Sequence, residues 1–179
     1  MSIVNNLEQL HKKFAQHTTQ KTGRFPLIEQ DSNWPSPCEI GDVDEHGQIQ
    51  WQAVHRENPG SLIDLAKALD VTFPEALNQY YGSFFGGCII ATIEEHEVEL
   101  LQAWSDDDFD LLQQNITGHV LMKRKLKQKP SVFIGLTEQE DLLVTVLLES
   151  GEVCLEYVGK QPHHVLAPNL EEFVKALKV

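Results

Sequence analysis

The chain has 179 residues, of which 41% are hydrophobic and 23% are charged, as is typical of one soluble globular domain. Its charge is strongly acidic, because 27 Asp and Glu against 14 Lys and Arg give a formal net charge of −13. Such a surface repels nucleic acid and anionic lipid head groups, so we expect it to bind neither and to favour basic partners, although solubility alone also explains many acidic proteins. No apolar run approaches the ~20 residues of a membrane span.

The first half of the chain predicts helices on both sides of a β-hairpin. Apolar residues near the start recur at helical spacing: Val4, Leu7, Leu10 and Phe14. Residues 24–38, "RFPLIEQDSNWPSPC", contain three prolines and predict an extended connection. "CEIGDV" and "QIQWQAV" then flank the turn "DEHG", which predicts a hairpin. Two short helices follow, "SLIDLAKALD" and "FPEALNQYYG", the second of which begins after Pro74 and ends at Gly82.

The second half predicts more strands than helices. "GCIIATI" and "EVELLQA" form a second hairpin, a long helix begins at Asp106, and "SVFIGL", "LLVTVLL" and "EVCLEYV" are strands. Asn169 caps a last helix, "LEEFVKAL". Strands that pair as successive hairpins, with helices between and around them, predict an α+β fold. We therefore expect a single domain over 1–179, with a mostly antiparallel sheet covered by helices.

Three consecutive aspartates begin the long helix. Ser105 is a suitable N-cap, which makes Asp106, Asp107 and Asp108 the first three helical residues, near the positive end of the helix dipole. Asp108 stands where a capping box has an acid, and Trp104 and Phe109 have the spacing of a hydrophobic staple. Because neighbouring helical residues point ~100° apart, the three carboxylates cannot all serve one cap. At least one acid is therefore surplus to the cap, and it could hold a metal or meet a partner.

A metal site is the less favoured of these alternatives. His96 and His119 do not stand at a spacing such as HxxxH or HExxH, and adjacent side chains such as His163 and His164 rarely point at one centre. The acidic stretch also lacks a glycine-containing calcium-loop pattern. We expect no metal and no other cofactor.

Catalytic motifs are also missing from the sequence. It contains no GxSxG nucleophile elbow, no phosphate-binding Walker loop and no GxGxxG between a strand and a helix. The three cysteines, Cys38, Cys88 and Cys154, are widely spaced and predict buried free thiols in a reducing cytosol. We therefore expect a non-catalytic protein in the cytoplasm.

Negative charge collects in one stretch of the chain. Residues 94–110 contain eight acids and no Lys or Arg. Glu97 and Glu99 share one face of their strand, and Glu152 and Glu156 share one face of theirs, so the two pairs could form an acidic surface if both strands belong to one sheet. The alternative is a set of ordinary solvated outer faces. The candidate partner-binding residues are Glu94, Glu97, Glu99, Asp106, Asp107, Asp110, Glu152 and Glu156.

Positive charge collects at the other end of the long helix. Residues 123–129 hold five of the 14 basic residues, where cations complement the helix dipole. That local role is sufficient to explain them.

Several segments together resemble the Syd family, bacterial proteins that interact with the translocon channel subunit SecY. They are "WPSPC", "LLQAWSDDDFDLLQQNITGH", "KRKLKQKPSVFIGL", "SGEVCLEYVG" and "LAPNLEEF". The resemblance runs from about Phe25 to the end of the chain. Thr117 stands where the family has an aliphatic residue, a difference that concerns packing.

The resemblance implies a non-catalytic domain of the SUKH superfamily that is loosely bound, through SecY, to the cytoplasmic face of the inner membrane. It implies recognition of basic cytosolic SecY loops by an acidic concave face, in order to check or sequester SecY that is not properly complexed. The charge pattern is compatible with this partner. Because SUKH relatives include immunity proteins that neutralise toxin domains, that function is the alternative.

Overall fold

The computed structural model describes residues 2–179, which contain five helices and eleven strands. The helices are α1 (Ile3–Thr22), α2 (Ile63–Leu69), α3 (Glu75–Gly82), α4 (Asp106–Lys125) and α5 (Leu170–Ala176). The strands are β1 (Leu27–Glu29), β2 (Glu39–Ile40), β3 (Gln48–Trp51), β4 (Val54–His55), β5 (Phe84–Phe85), β6 (Ile89–Ile93), β7 (His96–Leu100), β8 (Ser131–Thr137), β9 (Leu142–Leu147), β10 (Val153–Tyr157) and β11 (His164–Ala167).

The main sheet has six strands in the order β11-β10-β9-β8-β7-β6, and every neighbouring pair is antiparallel. Spatial order therefore follows chain order, even where α4 intervenes between β7 and β8. Two small antiparallel sheets, β1-β3-β2 and β4-β5, complete the strands. The predicted α+β fold with a mostly antiparallel sheet is confirmed.

One face of the main sheet packs in the hydrophobic core. Ile89, Leu100, Gly135, Val144 and Leu155 form one row across β6 to β10 on this face, and all five are buried. The four apolar side chains among them belong to the same apolar cluster as residues of α1, α3 and α5. The cluster stabilises the fold because each fully buried aliphatic side chain contributes roughly 1.5–3 kcal/mol.

Helix α1 has the predicted apolar stripe. Leu7 and Leu10 are buried, while Val4 and Phe14 are partly buried against the main core. The side chain of Ser2 caps the helix by accepting a hydrogen bond from the backbone N–H of Asn5. The helix packs against α3, α5 and β6, so it covers the buried side of the sheet.

The proline-rich connection differs in part from the prediction. It includes the short strand β1, which pairs with β3 and so extends the predicted hairpin to three strands. Its later part covers a second, smaller apolar cluster of Cys38, Trp51 and Trp104. The carbonyl oxygen of Trp34 accepts a hydrogen bond from Nε1 of Trp104 at 3.2 Å. These contacts attach the connection to the residues just before α4.

Candidate partner-binding surface

The beginning of α4 is capped as the sequence predicts, with one difference. Oγ of Ser105 accepts a hydrogen bond from the backbone N–H of Asp108 at 3.2 Å. The carboxylate of Asp108 accepts in return from the backbone N–H of Trp104 at 2.7 Å, whereas a capping box uses the N–H of the capping residue itself. Asp108 therefore ties the helix to the residue that precedes its cap.

The predicted staple between Trp104 and Phe109 is wrong. Trp104 packs edge-on against Trp51, with ring centroids 6.1 Å apart, in the smaller apolar cluster. Phe109 instead belongs to the main core. The two residues have the sequence spacing of a staple, but each ring packs in a different apolar cluster. Phe85 packs against both clusters.

Asp106 neutralises a buried cation. Its Oδ1 atom lies 2.9 Å from Nη2 of Arg56, whose side chain is almost completely buried. The guanidinium lies over the rings of Phe85 and Phe109, with its Cζ atom 4.2 and 5.0 Å from the two centroids. Burial lowers the pKa of Arg56, and the charge of Asp106 acts against this effect. Asp106 is therefore one of the acids surplus to the cap, and its partner is within the chain.

A second face of the main sheet carries the candidate acids of β7. Register places Ile90, Glu99, Leu136, Leu143 and Glu156 in one row across five adjacent strands, from β6 to β10. Helix α4 crosses the same face, because its residues His119 and Lys123 contact Glu156. Strands β7 and β10 therefore belong to one sheet, with Glu99 and Glu156 on the same face of it.

Carboxylates of β7 and of the beginning of α4 act on one thiol. The negative charges of Glu99, on β7, and of Asp108, on α4, both act on the thiol of Cys88. Burial, together with these negative charges, raises the pKa of Cys88 to about 12, and this thiol is therefore protonated at neutral pH. Glu97 is exposed one row further along β7, opposite Thr92.

Glu156 is not part of an exposed acidic surface, contrary to the prediction. Its side chain is fully buried, and Oε1 lies 2.9 Å from Nζ of Lys123, which is also fully buried. Ser131 and Thr145 donate hydrogen bonds to its two carboxylate oxygens at 3.0 and 3.1 Å. Burial alone raises the pKa of Glu156, but hydrogen bonds from His119, Lys123 and Ser131 and the charge of Lys123 outweigh it, so the pKa is lowered.

Two other candidate acids lie in turns between strands: Glu94 between β6 and β7, and Glu152 between β9 and β10. Glu152 is in the turn between β9 and β10, where it accepts a hydrogen bond from Ser150, at the opposite end of β10 from Glu156. Glu94 pairs with His164 of β11 at 2.8 Å, across the two edges of the curled sheet. Strand parity could not show these positions, because they depend on strand order and on the curl of the sheet.

The four remaining candidates together with Asp108 are what we call the acidic surface: Glu97, Glu99, Asp107, Asp108 and Asp110. Asp107 and Asp110 are exposed on the first two turns of α4. Within residues 2–179, the ion pairs with Lys or Arg involve none of these five carboxylates. Within the described residues, no Lys or Arg side chain therefore neutralises these five charges directly.

The sequence is similar to proteins of one family over nearly its whole length. The family described as Syd protein (SUKH-2) matches residues 4–178. The Syd protein of Pseudoalteromonas translucida (strain TAC 125) is 66% identical over 179 residues, which is 100% of both chains. The Syd proteins of Colwellia psychrerythraea (strain 34H) and Pseudoalteromonas atlantica (strain T6c) are 38% and 40% identical over 98% and 99% of this chain and 92% and 96% of theirs.

The chain belongs to the Syd family. The family match begins within α1 and extends beyond α5, so it includes the N-terminal helix as well as the segments whose resemblance was noted from about Phe25 onward. The relatives named above are all called Syd, and their names give no support to the alternative of an immunity protein. Among residues 2–179 of this Syd-family chain, no helix is both long and apolar enough to cross a membrane.

Three residues on or beside the acidic surface are not predicted from the sequence as partner-binding residues: Asp108, Ile90 and Leu136. Asp108 is predicted only as a cap residue, but its charge also acts, like that of Glu99, on the thiol of Cys88. Ile90 and Leu136 stand on either side of Glu99 in the row, and both are exposed. The period of each strand gives the face of each residue, but only the pairing register of β6, β7 and β8 shows that the three are neighbours.

Proposed function

We propose that this Syd-family protein binds SecY on the cytoplasmic side of the inner membrane, through basic cytosolic loops of SecY. In this proposal the protein is non-catalytic, and binding sequesters or checks SecY that is not properly complexed. The observation that carries the proposal is the acidic surface, whose five carboxylates form no ion pair with a Lys or Arg of residues 2–179. The family membership supports the choice of partner.

The electrostatics of the surface suit a basic loop. Complementary charge increases the rate of encounter and selects against acidic partners. The net charge of −13 adds a long-range attraction to any basic segment and a repulsion from anionic lipid. Membrane association therefore comes through SecY in this proposal, and the location is cytoplasmic with loose attachment to the membrane.

Fractionation of cells tests the partner. The full chain should appear in the membrane fraction in proportion to the amount of SecY, and a pull-down from detergent-solubilised membranes should recover SecY. Liposomes with anionic lipid and no protein should not bind the chain. Membrane binding that does not change when SecY is depleted, or binding to the liposomes alone, would contradict the proposal.

A further inference from the structure

The row that contains Glu99 also presents apolar side chains. Ile90 is 43% exposed and Leu136 is 39% exposed, and they occupy the strands on either side of Glu99. Leu143, which is half-buried, continues the row on β9. Scattered exposed apolar residues are ordinary in soluble proteins. Here the register joins three of them into one line, which we call the apolar row: Ile90, Leu136 and Leu143.

The hydrophobic core is built from the opposite face of the sheet and not from the exposed side chains of the apolar row. The adjacent row on the opposite face, which includes Ile89, Leu100 and Val144, is completely buried and supplies the core contacts. Helix α4 covers the other end of the row, where Glu156 is buried, and leaves Ile90 and Leu136 uncovered. The uncovered end is also the end where Glu97 and Glu99 lie, on β7.

We infer that the apolar row binds aliphatic or aromatic side chains of the same basic segment that the acidic surface attracts. This inference rests on the proposed function and specifies the chemistry of the partner: a Lys or Arg with an apolar residue on each side. Glu99 meets the cation, while Ile90 and Leu136 meet the apolar residues. Charge complementarity supports this occupant. Within residues 2–179, Glu99 forms no ion pair with Lys or Arg, and the lysine that contacts the row, Lys123, is buried beside Glu156 at its far end.

The spacing of the row sets the spacing in the partner. Neighbouring strands are ~4.8 Å apart, so Ile90 and Leu136, two strands apart, are separated by about 10 Å. Residues seven apart in an α-helix are separated by about 10.5 Å along its axis, and the third or fourth residue lies midway between them. A helical segment with apolar residues at i and i+7 and a basic residue at i+3 or i+4 therefore fits three consecutive members of the row.

The two kinds of contact respond differently to salt. Attraction between exposed charges is screened over about 8 Å at physiological ionic strength and over about 3 Å at 1 M salt. Contacts between apolar side chains are not screened by salt. Binding to the acidic surface and binding to both features should therefore weaken alike as salt rises, and the additional affinity that the apolar row supplies should remain.

Two synthetic peptides with equal positive charge test the inference directly. Both carry lysine at i+3 and i+4, and one has leucine at i and i+7 where the other has serine. Their affinities for the full chain are measured by fluorescence anisotropy at about 0.05 M and about 0.5 M NaCl. We expect the leucine peptide to bind about tenfold more tightly than the serine peptide at both salt concentrations.

Variants of the protein test whether the difference in affinity between the two peptides comes from the apolar row. The double variant Ile90→Ser/Leu136→Ser should bind both peptides equally, whereas the control Val43→Ser/Val165→Ser, at two exposed sites outside the row, should keep the tenfold difference. Equal binding of the two peptides to the wild-type chain, or a difference that persists in the row variant, would overturn the inference. If the peptides bind equally and SecY still binds, only the apolar row is wrong; if SecY does not bind, the proposed function is wrong.

Discussion

Nζ of Lys123 lies 2.9 Å from Oε1 of Glu156, and both side chains are fully buried between α4 and the main sheet. Nζ also donates a hydrogen bond to the carbonyl oxygen of Lys160 at 2.7 Å. Two residues that the charge pattern assigned to opposite surface regions are therefore one internal ion pair. The pair attaches the C-terminal half of α4 to β10 and so fixes how the helix crosses the sheet.

Removal of one partner of this pair should be costly. Lys123→Met leaves the carboxylate of Glu156 buried without its cation, and such a change costs about 3–5 kcal/mol of unfolding free energy. Lys123→Met combined with Glu156→Leu removes both charges and should recover much of the loss. Urea unfolding followed by circular dichroism measures both variants. Equal destabilisation by the single and the double variant would show that the charge itself is not the cause.

His11 should make the stability of the protein sensitive to acid. Burial lowers the pKa of His11 to about 4, and the side chain of Gln102 acts weakly against this effect. The unfolded chain takes up the proton near pH 6.5 and the folded chain only near pH 4, so the unfolded state binds more protons between these values. Stability is therefore highest above pH 6.5 and falls toward pH 4, by about 3 kcal/mol from this group.

The variant His11→Leu isolates this contribution. It keeps an apolar side chain against Phe84 and has no titrating group, so its unfolding free energy should fall less than that of the wild type between pH 7 and pH 4. The two profiles should differ in slope in this window and run parallel above it. Parallel profiles throughout would exclude His11 as the acid-sensitive group.

Two glycines should respond in opposite ways to alanine. A Cβ atom on Gly82 would lie 2.1 Å from the carbonyl oxygen of Gly60, so Gly82→Ala forces the backbone of that loop to move and should destabilise the fold by more than about 2 kcal/mol. Gly118 is in the interior of α4 and has no atom within 4 Å of such a Cβ. Gly118→Ala should therefore stabilise the protein, by up to about 1 kcal/mol. Thermal unfolding of both variants measures the contrast, and a loss of stability in Gly118→Ala would be inconsistent with the open space beside it.

Local features were predictable from the sequence, because neighbouring residues determine them. The caps at Ser105 and Asn169 use side chains within three residues of the N–H groups that they bind. The alternation in β7 likewise gave the correct inward and outward faces of Val98 and Glu99. The α+β fold followed from the hairpins, because these pair strands that are close in sequence.

Features that depend on distant residues were not predictable. The parity of β10 gave the correct face for Glu156, but the helix that buries it comes from a segment about 30 residues earlier. Arg56 and Asp106 are 50 residues apart, and no local pattern indicated that they pair. Strand β11 has only four residues, and its contact with β10 follows a loop rather than a recognised turn.

The most direct test of the account measures how SecY binding depends on the acidic surface. Glu97→Gln, Glu99→Gln, Asp107→Asn and Asp110→Asn together remove four negative charges and change the formal net charge from −13 to −9. Asp42→Asn, Glu45→Gln, Glu57→Gln and Glu149→Gln, at exposed sites elsewhere, give a control with the same net charge. The dissociation constant of each is measured with SecY in lipid nanodiscs at about 0.15 M salt. We predict that the surface variant binds at least tenfold more weakly than the wild type and that the control binds nearly as well as the wild type; equal affinities of the two variants would contradict the account.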